Sequence, residues 1–356
     1  MRVGMIGPDL EAKGGIATLA RTFLNSEAVR AHELRYFSTV GSGRIAQRVG
    51  QMALGQARAA RAIFQGYRPE LVHIHVADGL SFYRKLVYMR EALALGVPVV
   101  LHNNYAHLEQ LYNKSRAHAA LVRHTYTRAA LVLAVSTDMA AQLNVWTGGE
   151  ANVEVLHNPV DTKELGHHTP RAFGQAPRVL FMGAIGPRKG VFDLVTAWAE
   201  VVKAVPGATL RVGGDGDLQK LRERVAELGL NDSVELLGWV KGEDRLKVWA
   251  EADLYCLPSY AEGLPVSVLE AMASGLAVVS TAVNGTPDAV VEGETGLLIA
   301  PGDVGALRDR LVRLLQNHEE RERMGAAGRA RVEAVFDGEV LGARLVELWE
   351  RALRRR

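Results

Sequence analysis

Two periods alternate along the 356 residues of this chain. Short apolar runs of strand length are each followed by a longer segment whose apolar residues recur every three or four positions. The first run, Arg2 to Ile6, leads through GPDLEAKGG into IATLARTFL, and the alternation continues through Leu34 to Thr39, LVHIHV (Leu71 to Val76), VPVVLH ending at His102, and LVLAVS. VEVLHNPVD (Val153 to Asp161) closes this half. A polar stretch bearing Gly and Pro, TKELGHHTPRAFGQAP, reads as a linker. Beyond it the pattern resumes with RVLFMG, ATLRVGG, VELLGWV and DLYCLP (Asp253 to Pro258). Strands alternating with helices pack as parallel sheets covered on both faces. The expected fold class is therefore α/β, with two Rossmann-like doubly wound domains facing one cleft. The expected boundaries are residues 1–165, a linker at 166–177, residues 178–335, and a final helix at 336–356 that crosses back to the first domain. That helix carries Val340, Leu341, Leu345, Leu348 and Trp349 on its predicted apolar side.

Composition narrows the class. With 48% hydrophobic and 23% charged residues, the chain has enough apolar material for a core in each domain. Its one cysteine, Cys256, lies in an apolar strand, which rules out an internal disulfide and reads as a buried thiol in a reducing compartment. MRVGMIGP enters a strand directly, without the apolar core of a signal peptide, and no apolar run reaches membrane-span length, so a cytoplasmic location is expected.

The net charge of +2 hides an asymmetry. Met1 to Arg128 carries 17 basic against 8 acidic residues, a net of +9, and the remainder is −7. From Leu34 through Pro69 there is no acidic residue, while Arg35, Arg44, Arg48, Arg58, Arg61 and Arg68 are basic. A cation close to an anionic bilayer gains roughly 1 kcal/mol, and Met52, Leu54, Ile63 and Phe64 offer shallow apolar contact. This predicts a peripheral partner in the anionic inner face of the cell membrane, with a merely solvated basic helix as the alternative; no nucleic acid is expected.

Candidate chemistry concentrates in EGLPVSVLE (Glu262 to Glu270), which follows a strand and opens a helix. At such a start the amides of Gly263 and Leu264 are free to hold a hydroxyl or phosphate, aided by the helix dipole. Glu262 and Glu270 are placed to grip two parts of one elongated ligand, although solvated glutamates are the ordinary alternative. Gly14 and Gly15, before the first helix, let backbone approach a diphosphate closely or simply make a turn. His102 ends a strand, where doubly wound sheets present chemistry; His73 and His75 lie mid-strand and read as core or near-site residues. His167 and His168 have no spaced partner and read as solvated linker. Asp215 and Asp217 spell an Asp-X-Asp that elsewhere chelates metal, here inside a Gly-rich turn. The absence of G-x-G-x-x-G after the first strand disfavours a dehydrogenase.

The run from Pro258 to Asp303, PSYAEGLPVSVLEAMASGLAVVSTAVNGTPDAVVEGETGLLIAPGD, resembles the signature region of the nucleotide-sugar glycosyltransferases of family 4, and the resemblance extends over nearly the whole chain. It implies the GT-B architecture and a retaining, metal-independent transferase of hexosyl type, of the kind that builds exopolysaccharide or other cell-surface glycans. It needs no cofactor and takes a nucleoside-diphosphate sugar as co-substrate. The resemblance implies that Glu262 contacts the donor sugar, Glu270 holds the ribose, Gly14 and Gly15 face the diphosphate, and the segment ending at Val240 reaches the nucleobase. It also places His102 near sugar and acceptor and gives Lys189 the diphosphate. The usual arginine position holds Ala184, which leaves Arg188 to supply that charge. The acceptor is expected to be a glycan or lipid-linked sugar. The alternatives are the same chemistry on a small soluble acceptor, an epimerase on the same scaffold, or a catalytically idle sugar-nucleotide-binding subunit.

Overall fold

The computed structural model describes residues 1–39, 66–76, 79–104, 108–165 and 176–354. Arg44, Arg48, Arg58, Arg61, Met52, Leu54, Ile63, Phe64, His167 and His168 lie outside them, as does most of the predicted linker. The described residues form two compact units, Met1–Pro159 with Gly338–Arg356, and Val160–Asp337.

Unit 1 is built on a six-stranded parallel sheet of strands β1 (Arg2–Gly7), β2 (Glu33–Ser38), β3 (Leu71–Val76), β4 (Val99–Asn103), β5 (Leu131–Ala134) and β6 (Val153–Val155). Its order is β2-β1-β3-β4-β5-β6. β3, β4 and β5 are buried along their whole length, as their unbroken apolar runs require of strands covered on both faces. Edge strand β2 is only partly covered. Serines start two of the helices: Ser115 Oγ accepts from the His118 amide at 3.3 Å, and Ser136 Oγ from the Met139 amide at 3.2 Å.

The last helix, Gly338–Arg354, belongs to this unit's core. Leu345, Leu348 and Trp349 are fully buried with Val3, Met5, Phe23 and Leu71. Val340 corrects the sequence reading, being 45% exposed. On a helix it shares its line with Arg344, Glu347 and Arg351, four, seven and eleven residues on, whereas Leu341, Leu345, Leu348 and Ala352 make the inward stripe.

Unit 2 repeats the design with β7 (Arg178–Met182), β8 (Thr209–Gly213), β9 (Val234–Gly238), β10 (Leu254–Leu257), β11 (Ala277–Thr281) and β12 (Gly296–Ile299). Their order is β12-β11-β10-β7-β8-β9, again parallel. In each sheet the chain turns from one side to the other at one place. That topological switch lies between β1 and β3 in unit 1 and between β7 and β10 in unit 2, and loops at the carboxyl ends of such strands are where open α/β sheets hold ligands. Cys256 sits in the middle of β10, fully buried, and burial pushes its thiol pKa up, so it packs as an inert apolar group.

Candidate active site

The loops after β7 and β10 are stitched together. The Tyr260 amide donates to the Arg188 carbonyl at 2.8 Å. Gly190, at φ +67°, begins the helix Val191–Ala204, and a Cβ there would lie 1.9 Å from the Pro258 carbonyl oxygen, so only glycine allows the approach. The loop after β8 is laced in as well, through Ile185 N to Asp215 O at 2.7 Å and Asp217 N to Ile185 O at 2.8 Å. The backbone of the GDGD turn thus serves as a brace for the β7 loop.

This bracing brings Lys189, Arg188 and Glu262 together. Lys189 Nζ lies 2.5 Å from Glu262 Oε1, and Ser259 Oγ donates to the same oxygen at 2.6 Å. Arg188 Nη1 donates to the Ala261 carbonyl at 2.9 Å and stands 3.9 Å from Glu262 Oε2. One carboxylate oxygen is therefore saturated, while the other faces a guanidinium beyond hydrogen-bond reach. The Glu262 amide donates to Asn284 Oδ1 at 3.2 Å, and Asn284 itself adopts φ +43°, a conformation asparagine tolerates. Arg188 thus points at the Glu262 loop, while the short side chain of Ala184 is exposed.

The helix Val266–Ala273 starts just after Pro265, so its first amides lack intrahelical partners, and Gly263 and Leu264 precede it in the turn. Glu270 lies in its second turn, largely buried, where Arg245 Nη2 donates to Oε1 at 2.6 Å. Arg245 also stands 3.5 Å from Glu164. Burial raises the Glu270 pKa above the ordinary carboxylate value, and the Arg245 charge opposes that rise. Val240, half-buried, follows the carboxyl end of β9, next to Trp239, which is 45% exposed.

The remaining candidates lie in unit 1. Gly14, at φ +131°, and Gly15 are exposed at the start of the helix Gly15–Asn25, after β1. His102 is the penultimate residue of β4, which ends at Asn103, and it is fully buried, with His73 and His75 beside it. Sequence reading missed Arg245, Ser259 and Asn284. Arg245 sits among charged residues on the helix Gly242–Ala250, a pattern identical to an ordinary solvated face, and only the fold puts it against Glu270.

Residues 14–164 match the family model Glycosyltransferase Family 4, and residues 165–331 match Glycosyl transferases group 1. The chain carries a family 4 glycosyltransferase domain followed by a group 1 domain. Among curated relatives, the GDP-mannose-dependent monoacylated alpha-(1-6)-phosphatidylinositol monomannoside mannosyltransferase of Corynebacterium glutamicum is 32% identical over 56% of this chain and 57% of its own length. The amylovoran biosynthesis glycosyltransferase AmsK of Erwinia amylovora is 33% identical over 51% of this chain and 46% of its own. The chain spans about half the length of the curated relatives it matches. Among solved structures, sucrose-phosphate synthase of Thermosynechococcus elongatus superposes with a TM-score of 0.83 at 21% identity, over all of both chains. Anabaena HepE, solved with UDP-glucose, gives 0.78 at 19% identity over 98% of this chain and 99% of its own. The fold of the two domains is GT-B. The group 1 domain holds Lys189, Arg188, Glu262 and Glu270; the family 4 domain holds Gly14, Gly15 and His102. Among the described residues no helix is long and apolar enough to cross a membrane.

Proposed function

We propose that the chain transfers a sugar from a nucleoside-diphosphate sugar to a hydroxyl of a glycan, with retained anomeric configuration and without a metal ion. The observation that carries this reading is the charge arrangement at the β7/β10 switch: an ammonium and a guanidinium gathered on one carboxylate beside two helix starts. Sugar transfer leaves negative charge on the departing diphosphate, and fixed cations and helix amides lower its energy without reorganising during the reaction. Lys189 and Arg188 fill that role, and Gly14 and Gly15, at a helix start in unit 1, offer backbone donors to a diphosphate. Glu262, held through Oε1, keeps Oε2 for the hydroxyls of the transferred sugar, and the amides of Gly263 and Leu264 reach the same sugar. Glu270 takes the ribose, with Arg245 fixing its carboxylate, and Val240 lies against the base. His102 faces the sugar and the acceptor. The leaving phosphate takes the acceptor proton, so no protein base is needed. Two features favour a lipid-linked acceptor at a membrane face: the +9 first part of the chain, and a relative whose name gives a phosphatidylinositol monomannoside as its substrate.

Incubation of the pure protein with a panel of sugar nucleotides tests this. Release of nucleoside diphosphate is expected, faster with membrane extract than with soluble sugars, in a chelator, and with the product's anomeric configuration retained by NMR. Failure of every donor with every acceptor overturns the reading. Chelator-sensitive turnover restored by manganese removes its metal-free part, and an inverted linkage removes the retaining part.

A further inference from the structure

His73 and His75 are two residues apart on β3 and so point to the same face of the sheet, and His102 is the β4 residue paired with His75. All three are buried, at 0, 1 and 0% exposure. From the helix Gly338–Arg354, the indole Nε1–H of Trp349 donates to His73 Nδ1 at 3.0 Å, and His73 Nε2 lies 3.3 Å from His102 Nδ1. These contacts fix where the protons are. An indole nitrogen only donates, so His73 Nδ1 accepts, and a neutral imidazole that accepts at Nδ1 carries its proton on Nε2. That proton faces His102 Nδ1, which accepts in turn, and the His102 proton is therefore on Nε2. Burial keeps the rings neutral, lowering their pKa values, that of His102 to about 3.

The nitrogens of the three rings come within 4.8 Å of one another, close enough to raise the question of a metal ion. The indole argues against it. Ligation through His73 Nε2 requires a proton on Nδ1, and that N–H would then oppose the Trp349 N–H, whereas metal-bound histidines turn their second nitrogen toward an acceptor.

We propose that Trp349 is a positioning residue that sets the tautomer of His102 through His73. The carboxyl end of β4 then offers a substrate oxygen an N–H donor and not a lone pair. His102 Nε2 has no hydrogen-bond partner among the described residues, and a buried donor left over at a strand's carboxyl end gains its missing bond when a substrate oxygen reaches it. His102 thus acts as a hydrogen-bond donor and does not accept the acceptor's proton. The inference rests on the placement of His102 in the transfer site proposed above.

Histidine-selective 15N labelling reads the tautomers directly. In the wild-type protein His73 and His102 should both carry Nε2–H. Trp349→Phe should give His102 a mixture of both tautomers and lower kcat about five- to tenfold, with donor KM within about twofold of wild type, as expected for loss of one orienting hydrogen bond. His73→Leu, which leaves the indole in place, should disturb the His102 tautomer in the same way. Nδ1–H on either ring of the wild type, metal-bound histidine shifts, or an unchanged His102 spectrum in both variants overturns the relay; the wild-type spectrum decides even if a variant folds poorly. His102→Gln separates the two layers. Unchanged turnover there removes His102 from the transfer site, and the role of the relay in turnover with it, while the spectra still decide who sets the tautomer.

Discussion

Among the described residues where β1 and β3 end, the polar side chains are buried and held by neutral partners; where β7 and β10 end, they are charged and paired. The contrast is sharpest between two lysines. Lys85, 3% exposed, donates to the Thr39 hydroxyl at 2.7 Å, and burial pulls its pKa down to about 7. Lys189 has the Glu262 carboxylate at 2.5 Å. The same sheet topology surrounds its polar groups in two ways, with neutral burial around Lys85 in one unit and with an opposite charge beside Lys189 in the other. Desolvation makes a group responsive to pH near neutrality, whereas pairing makes it responsive to removal of the partner.

Acid is the strongest probe of this difference. The folded-state pKa values of His73, His75 and His102 lie below the ordinary 6.5, so between that value and the folded one the unfolded chain binds more protons and stability falls as pH falls. His102, whose folded pKa is lowered to about 3, alone costs about 2 kcal/mol at pH 5, and His73 and His75 add in the same direction. Lys85 adds the same sign higher up: between about 7 and 10.5 the folded chain has released a proton that the unfolded chain keeps, so stability rises with pH there. Glu270, with a raised folded pKa, has the opposite sign and relaxes as it takes up a proton in acid. Amide exchange at pH 5 should therefore open β3 and β4 well before β7 and β10, and Lys85→Met should flatten the alkaline slope. Equal protection of both sheets would break the comparison.

Backbone substitution comes next. Gly190→Ala combines φ +67° with a Cβ 1.9 Å from the Pro258 carbonyl and should cost about 4 kcal/mol, read as a lowered thermal transition with donor binding lost. Below it, Glu262→Ala should lower turnover on the order of a hundredfold, leaving Lys189 without its carboxylate. Glu270→Ala should chiefly raise donor KM. Identical small effects of both would show that the two carboxylates do not divide the ligand. The smallest effect is expected from Gly14→Ala. A Cβ there meets nothing within 4 Å, so only the φ +131° strain of about 1–2 kcal/mol opposes it; a loss as large as that at Gly190 would erase the distinction between the two loops.

The sheets were legible because both periods are strong: LVHIHV and DLYCLP read as strands, and the structure keeps the first whole and trims the second by one residue at each end. The charged half of the site was legible in part, since Glu262, Lys189 and Glu270 lie in short local motifs at strand ends. Arg245 was hidden because one Arg on a polar helix face carries no direction, and Ser259 because a serine in a turn has too many ordinary uses. Val340 was misread by counting apolar residues without their angle on the helix. The histidine relay was beyond local reading altogether, since Trp349 and His73 are 276 positions apart, and a donor-only partner on one nitrogen is a fact of packing.

The last helix also imposes an order of events during synthesis. Unit 1 takes its core from both ends of the sequence, with Leu345, Leu348 and Trp349 seated against Val3, Met5 and Leu71, whereas unit 2 is one uninterrupted stretch, Val160–Asp337. The first sheet is synthesised before unit 2, yet the helix that covers part of its apolar face, Gly338–Arg354, follows unit 2 in the sequence. The half made first is the half finished last, and in the interval its exposed strands are the part of the nascent molecule that most needs a chaperone.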